Sequence, residues 1–159
     1  MAAPHRGNTG YSVYFITAST FQRRPLFRKE PMAQLFVEVL FHYRDKKNYL
    51  LHEFVLMPDH FHLLLSPTLS LERSLQLIKG GFSYRAKMEV EHSGEIWQPS
   101  YYDRRVRETE GYSNFKYYIR RNPVERGLAE TPEDYPYSSA HPGFVLDEVP
   151  GRLKLTMTA

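Results

Sequence analysis

The stretch that decides the fold is Tyr49–Pro67, YLLHEFVLMPDHFHLLLSP. Two apolar runs flank Pro58 and Asp59. Proline presets the backbone for a tight turn and aspartate suits the position after it, so Tyr49–Met57 and His60–Ser66 are predicted to pair as antiparallel strands. Alternate residues of a strand point to opposite faces, which sets Phe61, Leu63 and Leu65 on one side and His60 and His62 on the other. Two imidazoles at i and i+2 stand side by side and can share one divalent ion. They can equally be two polar residues on a wetter sheet face, and spacing alone leaves both readings open.

Outward from the hairpin the pattern is mixed. Upstream, the β-branched and aromatic run from Tyr11 to Thr20 predicts a strand. Pro31 then opens a helix whose Met32, Leu35, Phe36, Val39 and Tyr43 recur at helical spacing. Downstream, Ser70 is placed to cap a helix with Leu71, Leu75, Ile78 and Phe82 on its core side. HSGE marks a loop, IWQPSYYDRRVRE reads as an extended segment or fourth strand, and GYSNFKYYIRRN reads as a last helix stopped by Pro123. The order β-α-β-β-α-β plus a helix is an α+β, ferredoxin-like arrangement: an antiparallel sheet with its first two helices on one face.

Composition narrows the chemistry. The 159 residues, 42% of them hydrophobic, suffice for one ordinary core. With no cysteine, disulfides, zinc–thiolate sites and thiol nucleophiles are excluded. MAAPHRGNTG lacks the apolar centre of a signal peptide and no apolar run approaches membrane-spanning length, so a soluble, cytoplasmic protein is expected. The net charge of +3 is small, but the basic residues stand among rings: Arg23, Arg24, Arg28 and Lys29 around Phe21 and Phe27, then YYDRRVRE and YYIRRNPVER. Guanidinium forks suit phosphates and flat rings suit unpaired bases. Arginine stems also cover rings on ordinary surfaces.

On the last helix, Tyr112, Phe115 and Ile119 mark the core stripe. Tyr117 then points nearly opposite, while Tyr118 borders the stripe with Asn122 one turn beyond it. A border tyrosine is often a packing residue, and an asparagine before proline is often a terminator.

Together ITASTFQRRPLF, FVLMPDHFHLLLSP, IKGGFSYRAK, WQPSYYDRRVRE and YYIRRNPVERGLAETPEDYPYSSA resemble the single-tyrosine HUH transposases, the REP-associated tyrosine transposase branch in particular. The resemblance covers residues 11–141, leaving 1–10 as an extension and 142–159 as a tail, either an added strand or a loose end. It implies that His60, His62 and Asn122 hold a divalent metal, Mg2+ or Mn2+, and that Tyr118 is the nucleophile. It further implies single-stranded DNA folded into a palindromic hairpin as substrate, cut and rejoined through a 5'-phosphotyrosine link. Arg23, Arg24, Lys79, Arg104, Arg105 and Arg120 are the expected DNA contacts, in a monomer or homodimer. Two other functions fit parts of the pattern: a non-catalytic single-stranded nucleic-acid-binding module, and a nickase that initiates rolling-circle replication.

Overall fold

The computed structural model describes residues 12–154, so the expected extension 1–10 and the start of the first strand at Tyr11 lie outside the described residues. Four strands, β1 (Val13–Ser19), β2 (Tyr49–Met57), β3 (His60–Pro67) and β4 (Tyr102–Val106), form one sheet in the order β2-β3-β1-β4. Every neighbouring pair is antiparallel. The helices are α1 (Glu30–Asp45), α2 (Leu71–Glu89) and α3 (Thr109–Glu125). The ferredoxin-like order of elements is therefore present. Pro31 sits in the first turn of α1, and Ser70 caps α2 by accepting from the Arg73 amide at 3.0 Å.

The sheet is covered on both sides, which explains why β3 is buried along its whole length. Ile16, Ala18, Phe54, Phe61, Leu63 and Leu65 pack under α1 and α2, with Phe36 and Phe82 closing that core. The other face carries Val13, Phe15, Val55, Met57 and Leu64, against Tyr112 and Ile119 of α3 and Leu153 of the tail. The register of β2 against β3 slips between Leu51 and Glu53. His52 is the extra residue of this bulge, and the slip turns Glu53 toward the α3 face.

Two expectations are corrected. Pro123 does not stop α3, which runs on to Glu125. Proline removes a single amide donor, and the real terminus follows at Gly127, whose φ of +72° suits a residue without Cβ. Gly127 N–H donates to Val124 O and Leu128 N–H to Pro123 O, the paired bonds that close a helix on a left-handed residue. As for the tail, it is neither an added strand nor loose over its described part. Asp147 N–H donates to Leu51 O, its carboxylate accepts from the Leu51 amide and from Arg44, and Leu153 is buried.

The two edges of the sheet differ. Along β2, Leu56 N–H donates to Tyr137 O and Ser139 N–H to Phe54 O, so the segment after α3 occupies that edge. β4, at the other edge, has β1 as its only neighbour in the sheet among the described residues, and all of it but Val106 is exposed.

Candidate active site

Strand register assembles the site before any helix is added. Thr17 lies opposite His62 on one side and Tyr102 on the other, so His62, Thr17 and Tyr102 form one row across the α3 face. His60 is two residues along on the same face, its ring centroid 4.8 Å from that of His62. Both histidines are buried, at 3% and 4% exposure.

Each imidazole is held through Nδ1. His60 Nδ1 is 2.7 Å from Asp59 Oδ1. Burial raises the Asp59 carboxyl, but hydrogen bonds from His60 and Arg23 outweigh it and hold the group below its usual range. An ionised carboxylate only accepts, so the proton belongs on His60 Nδ1 and Nε2 keeps a free lone pair. His62 Nδ1 is 2.8 Å from Thr17 Oγ1. Burial, then the fields of His60 and Arg126, push His62 down to about 3, and burial likewise lowers His60. Both rings are neutral at pH 7, the state in which a histidine ligates metal.

α3 supplies the rest. Tyr112 and Ile119 are buried and Phe115 stacks on Phe15 at 4.3 Å, as the stripe predicts. Tyr117 is 67% exposed, pointing away. The Tyr118 ring lies 5.1 Å from His62 and 6.1 Å from Phe15, and at 47% exposure it is open to solvent. Asn122 is buried, and its Oδ1 finds no hydrogen-bond partner; neither does His62 Nε2. A buried polar atom without a partner costs about 1–3 kcal/mol. With the His62 proton on Nδ1, these two atoms and the His60 Nε2 lone pair are donors that a cation can satisfy. Among the described residues no group of three or more His, Cys, Asp and Glu is placed to hold a metal. The set here is two imidazoles and a carboxamide oxygen, donors that suit a divalent ion of intermediate softness, Mn2+ or Mg2+ with waters.

The six expected DNA contacts scatter. Arg23 lies beside the histidines, paired with Asp59 at 3.0 Å, and Arg24 bonds Gln22 over the Phe21 ring. Arg104 and Arg105 lie on exposed β4 and line a groove of about 510 Å³ with Asn114 and Phe115. Lys79 is tied down by Gln98 O and Ser100 O. Arg120 is not with the histidines: it pairs with buried Glu53 at 2.9 Å and lines a cleft of about 610 Å³ with His52 and the tail. Sequence reasoning missed Asp59 and Thr17 as holders of the imidazoles. Asp59 was visible next to His60 but read as a turn residue, whereas Thr17 needs the β1–β3 register.

The profile of the family described as Transposase IS200 like matches residues 10–122. The chain belongs to this family. Over 94 residues it is 28% identical to the REP-associated tyrosine transposase of Escherichia coli K12, covering 57% of this chain and 54% of that one. Over 98 residues it is 29% identical to a Haemophilus influenzae protein grouped with the same transposases, covering 54% and 56% of the two chains. The chain thus matches just over half the length of these curated relatives. Among solved structures, a REP-associated tyrosine transposase bound to a REP hairpin superposes with a TM-score of 0.70 at 22% identity, over 89% of this chain and 84% of that one. It shares the fold of this IS200-like member. Among the described residues no helix is long and apolar enough to cross a membrane.

Proposed function

We propose that this IS200-like chain is a metal-dependent single-stranded DNA endonuclease and strand transferase acting at palindromic hairpin elements, with Tyr118 as nucleophile. The observation that carries the reading is the pair of buried, partnerless polar atoms, His62 Nε2 and Asn122 Oδ1, the first in a ring 5.1 Å from that of Tyr118 and the second one helical turn beyond Tyr118. A binding module has no use for them. The hairpin substrate rests on the solved relative, which was bound to a REP hairpin.

His60, His62 and Asn122 would hold Mg2+ or Mn2+, which when bound supplies Lewis acidity toward a phosphodiester oxygen. Asp59 and Thr17 fix the two rings through Nδ1, and with a proton on each Nδ1 both Nε2 lone pairs are left for the metal. Tyr118 Oη attacks phosphorus and gives up its proton to water. A P–Oη bond forms as the P–O3' bond breaks, leaving a 5'-phosphotyrosine and a 3'-oxygen that takes a proton. The ester keeps the energy of the broken linkage, so a second 3'-hydroxyl can reverse the step and be joined. Phe15, itself stacked on Phe115, backs the Tyr118 ring, and exposed Tyr102 offers a base a flat face in the row of His62.

The test is covalent capture. Incubated with hairpin oligonucleotides built from palindromes flanking its own gene and with Mn2+, the protein should form an adduct that survives denaturing electrophoresis and is prevented by chelator. Tyr118→Phe should abolish the adduct and Tyr117→Phe should not. The reverse pattern, or no adduct with any such hairpin, refutes the assignment.

A further inference from the structure

The row of α3 that carries Tyr118 and Asn122 has a third member. Since the helix runs through Pro123, Arg126 falls four residues beyond Asn122, on the same side, and its own amide donates to Asn122 O at 3.0 Å. Arg126 is exposed. Its neighbours are occupied, Arg120 with Glu53 and Arg121 with Glu125, but among the described residues Arg126 has no ion-pair partner. Its charge is nevertheless felt by both His60 and His62, so the guanidinium stands within electrostatic reach of both rings.

A free cation there is a poor choice for a pocket that only takes in metal, because like charges repel. It is a good choice where an anion must come too. Asn122 lies in the last turn of α3, whose carbonyl end carries partial negative charge and would turn a phosphate away. Arg23, the other cation near the rings, already has Asp59 on its Nε.

Resting on the endonuclease reading above, we propose that Arg126 binds the non-bridging oxygens of the scissile phosphodiester, holding it between the histidine pair and Tyr118 and offsetting the charge that grows on it during attack. A planar fork can take two oxygens at once; a lysine ammonium cannot reproduce that.

The experiment compares wild type, Arg126→Ala and Arg126→Lys by three readouts: adduct formation with a hairpin oligonucleotide and Mn2+, hairpin affinity in chelator, and calorimetric Mn2+ titration without DNA. For Arg126→Ala, adduct formation should slow about 100-fold, as for loss of one preorganised donor to a developing oxyanion. Hairpin affinity in chelator should fall by no more than about 3-fold at fixed salt, since one phosphate contact among several is lost. Mn2+ affinity should rise about 2- to 5-fold at low salt, the repulsion being gone, and return toward wild type at about 0.5 M salt. Arg126→Lys should restore the wild-type Mn2+ affinity but only part of the rate. Adduct formation by Arg126→Ala within about 3-fold of wild type overturns the proposal. So does weaker Mn2+ binding with a lower melting temperature, the signature of a residue that merely caps α3. If wild type itself forms no adduct, the endonuclease reading falls and the role of Arg126 falls with it, whereas a wild-type adduct that Arg126→Ala leaves at the same rate overturns the Arg126 proposal alone.

Discussion

Replacing Arg120 by alanine should cost the protein stability rather than DNA affinity. The Glu53 side chain is 4% exposed and accepts from Arg120 Nε at 2.9 Å, Arg120 Nη2 at 3.4 Å and Ser139 Oγ at 2.6 Å. Without the guanidinium its carboxylate keeps one hydroxyl and is otherwise stranded inside the fold. Breaking a fully buried pair costs about 3–5 kcal/mol. Arg120 is 36% exposed, so water screens part of the loss, and about 2–3 kcal/mol is the figure to expect. With a urea dependence of roughly 2 kcal/mol/M for a chain of this size, the unfolding midpoint should drop by about 1–1.5 M. Adding Glu53→Gln to Arg120→Ala should recover about half of that, because the neutral amide tolerates burial with Ser139 as its partner. Hairpin affinity of folded Arg120→Ala should stay within about 3-fold of wild type at one salt concentration. An unchanged urea midpoint together with a large loss of hairpin affinity would refute the structural role and return Arg120 to the DNA contacts.

Three further outcomes follow from the same geometry. In chelator, stability should fall as pH drops from 7.5 to 5: native His62, held down to about 3, refuses a proton that the unfolded chain accepts below about 6.5, a loss of about 2 kcal/mol. The stability is present above the unfolded value and lost beneath it; urea titrations in which His62→Gln shows the same slope as wild type would contradict this. Asn122→Ala should weaken Mn2+ binding about 10-fold in calorimetry while hairpin affinity in chelator holds, and unchanged Mn2+ binding removes Asn122 from the ligand set. Asp147→Ala, which strips Arg44 and the Leu51 amide of their shared acceptor, should lower stability by about 2 kcal/mol without affecting Mn2+ binding; a melting temperature equal to wild type would show the tail to be dispensable.

The hairpin and the helices were legible because alternation along β3 and the apolar periods of α1 and α2 are local signals. The same locality made Tyr118 and Asn122 neighbours on paper, four residues apart on one helix. That His60 and His62 lie under that helix depends on α3 packing against the sheet face opposite α1 and α2, which no local pattern states. Thr17 and Phe15 reach His62 through strand pairing, 45 residues away for Thr17. The pairing of Arg120 with Glu53 was not legible because that partner is 67 residues distant and turned inward by a bulge. Pro123 misled for a different reason: a proline costs one hydrogen bond, and Gly127, already in the sequence, supplied a better place to end.

The unequal edges of the sheet bear on what else can join it. A strand edge presents a row of unsatisfied amides and carbonyls to any extended chain in solution. The segment after α3 has taken the β2 side, so a foreign strand arriving there would have to evict Tyr137 and Ser139 first. At β4 the ladder is five residues long and bears Arg104 and Arg105, too short and too charged to recruit a second polypeptide readily. Among the described residues, a protein carrying 22 Phe and Tyr residues in 159 thus has one sheet edge occupied by its own chain and the other short and charged, two of the devices that blunt strand addition.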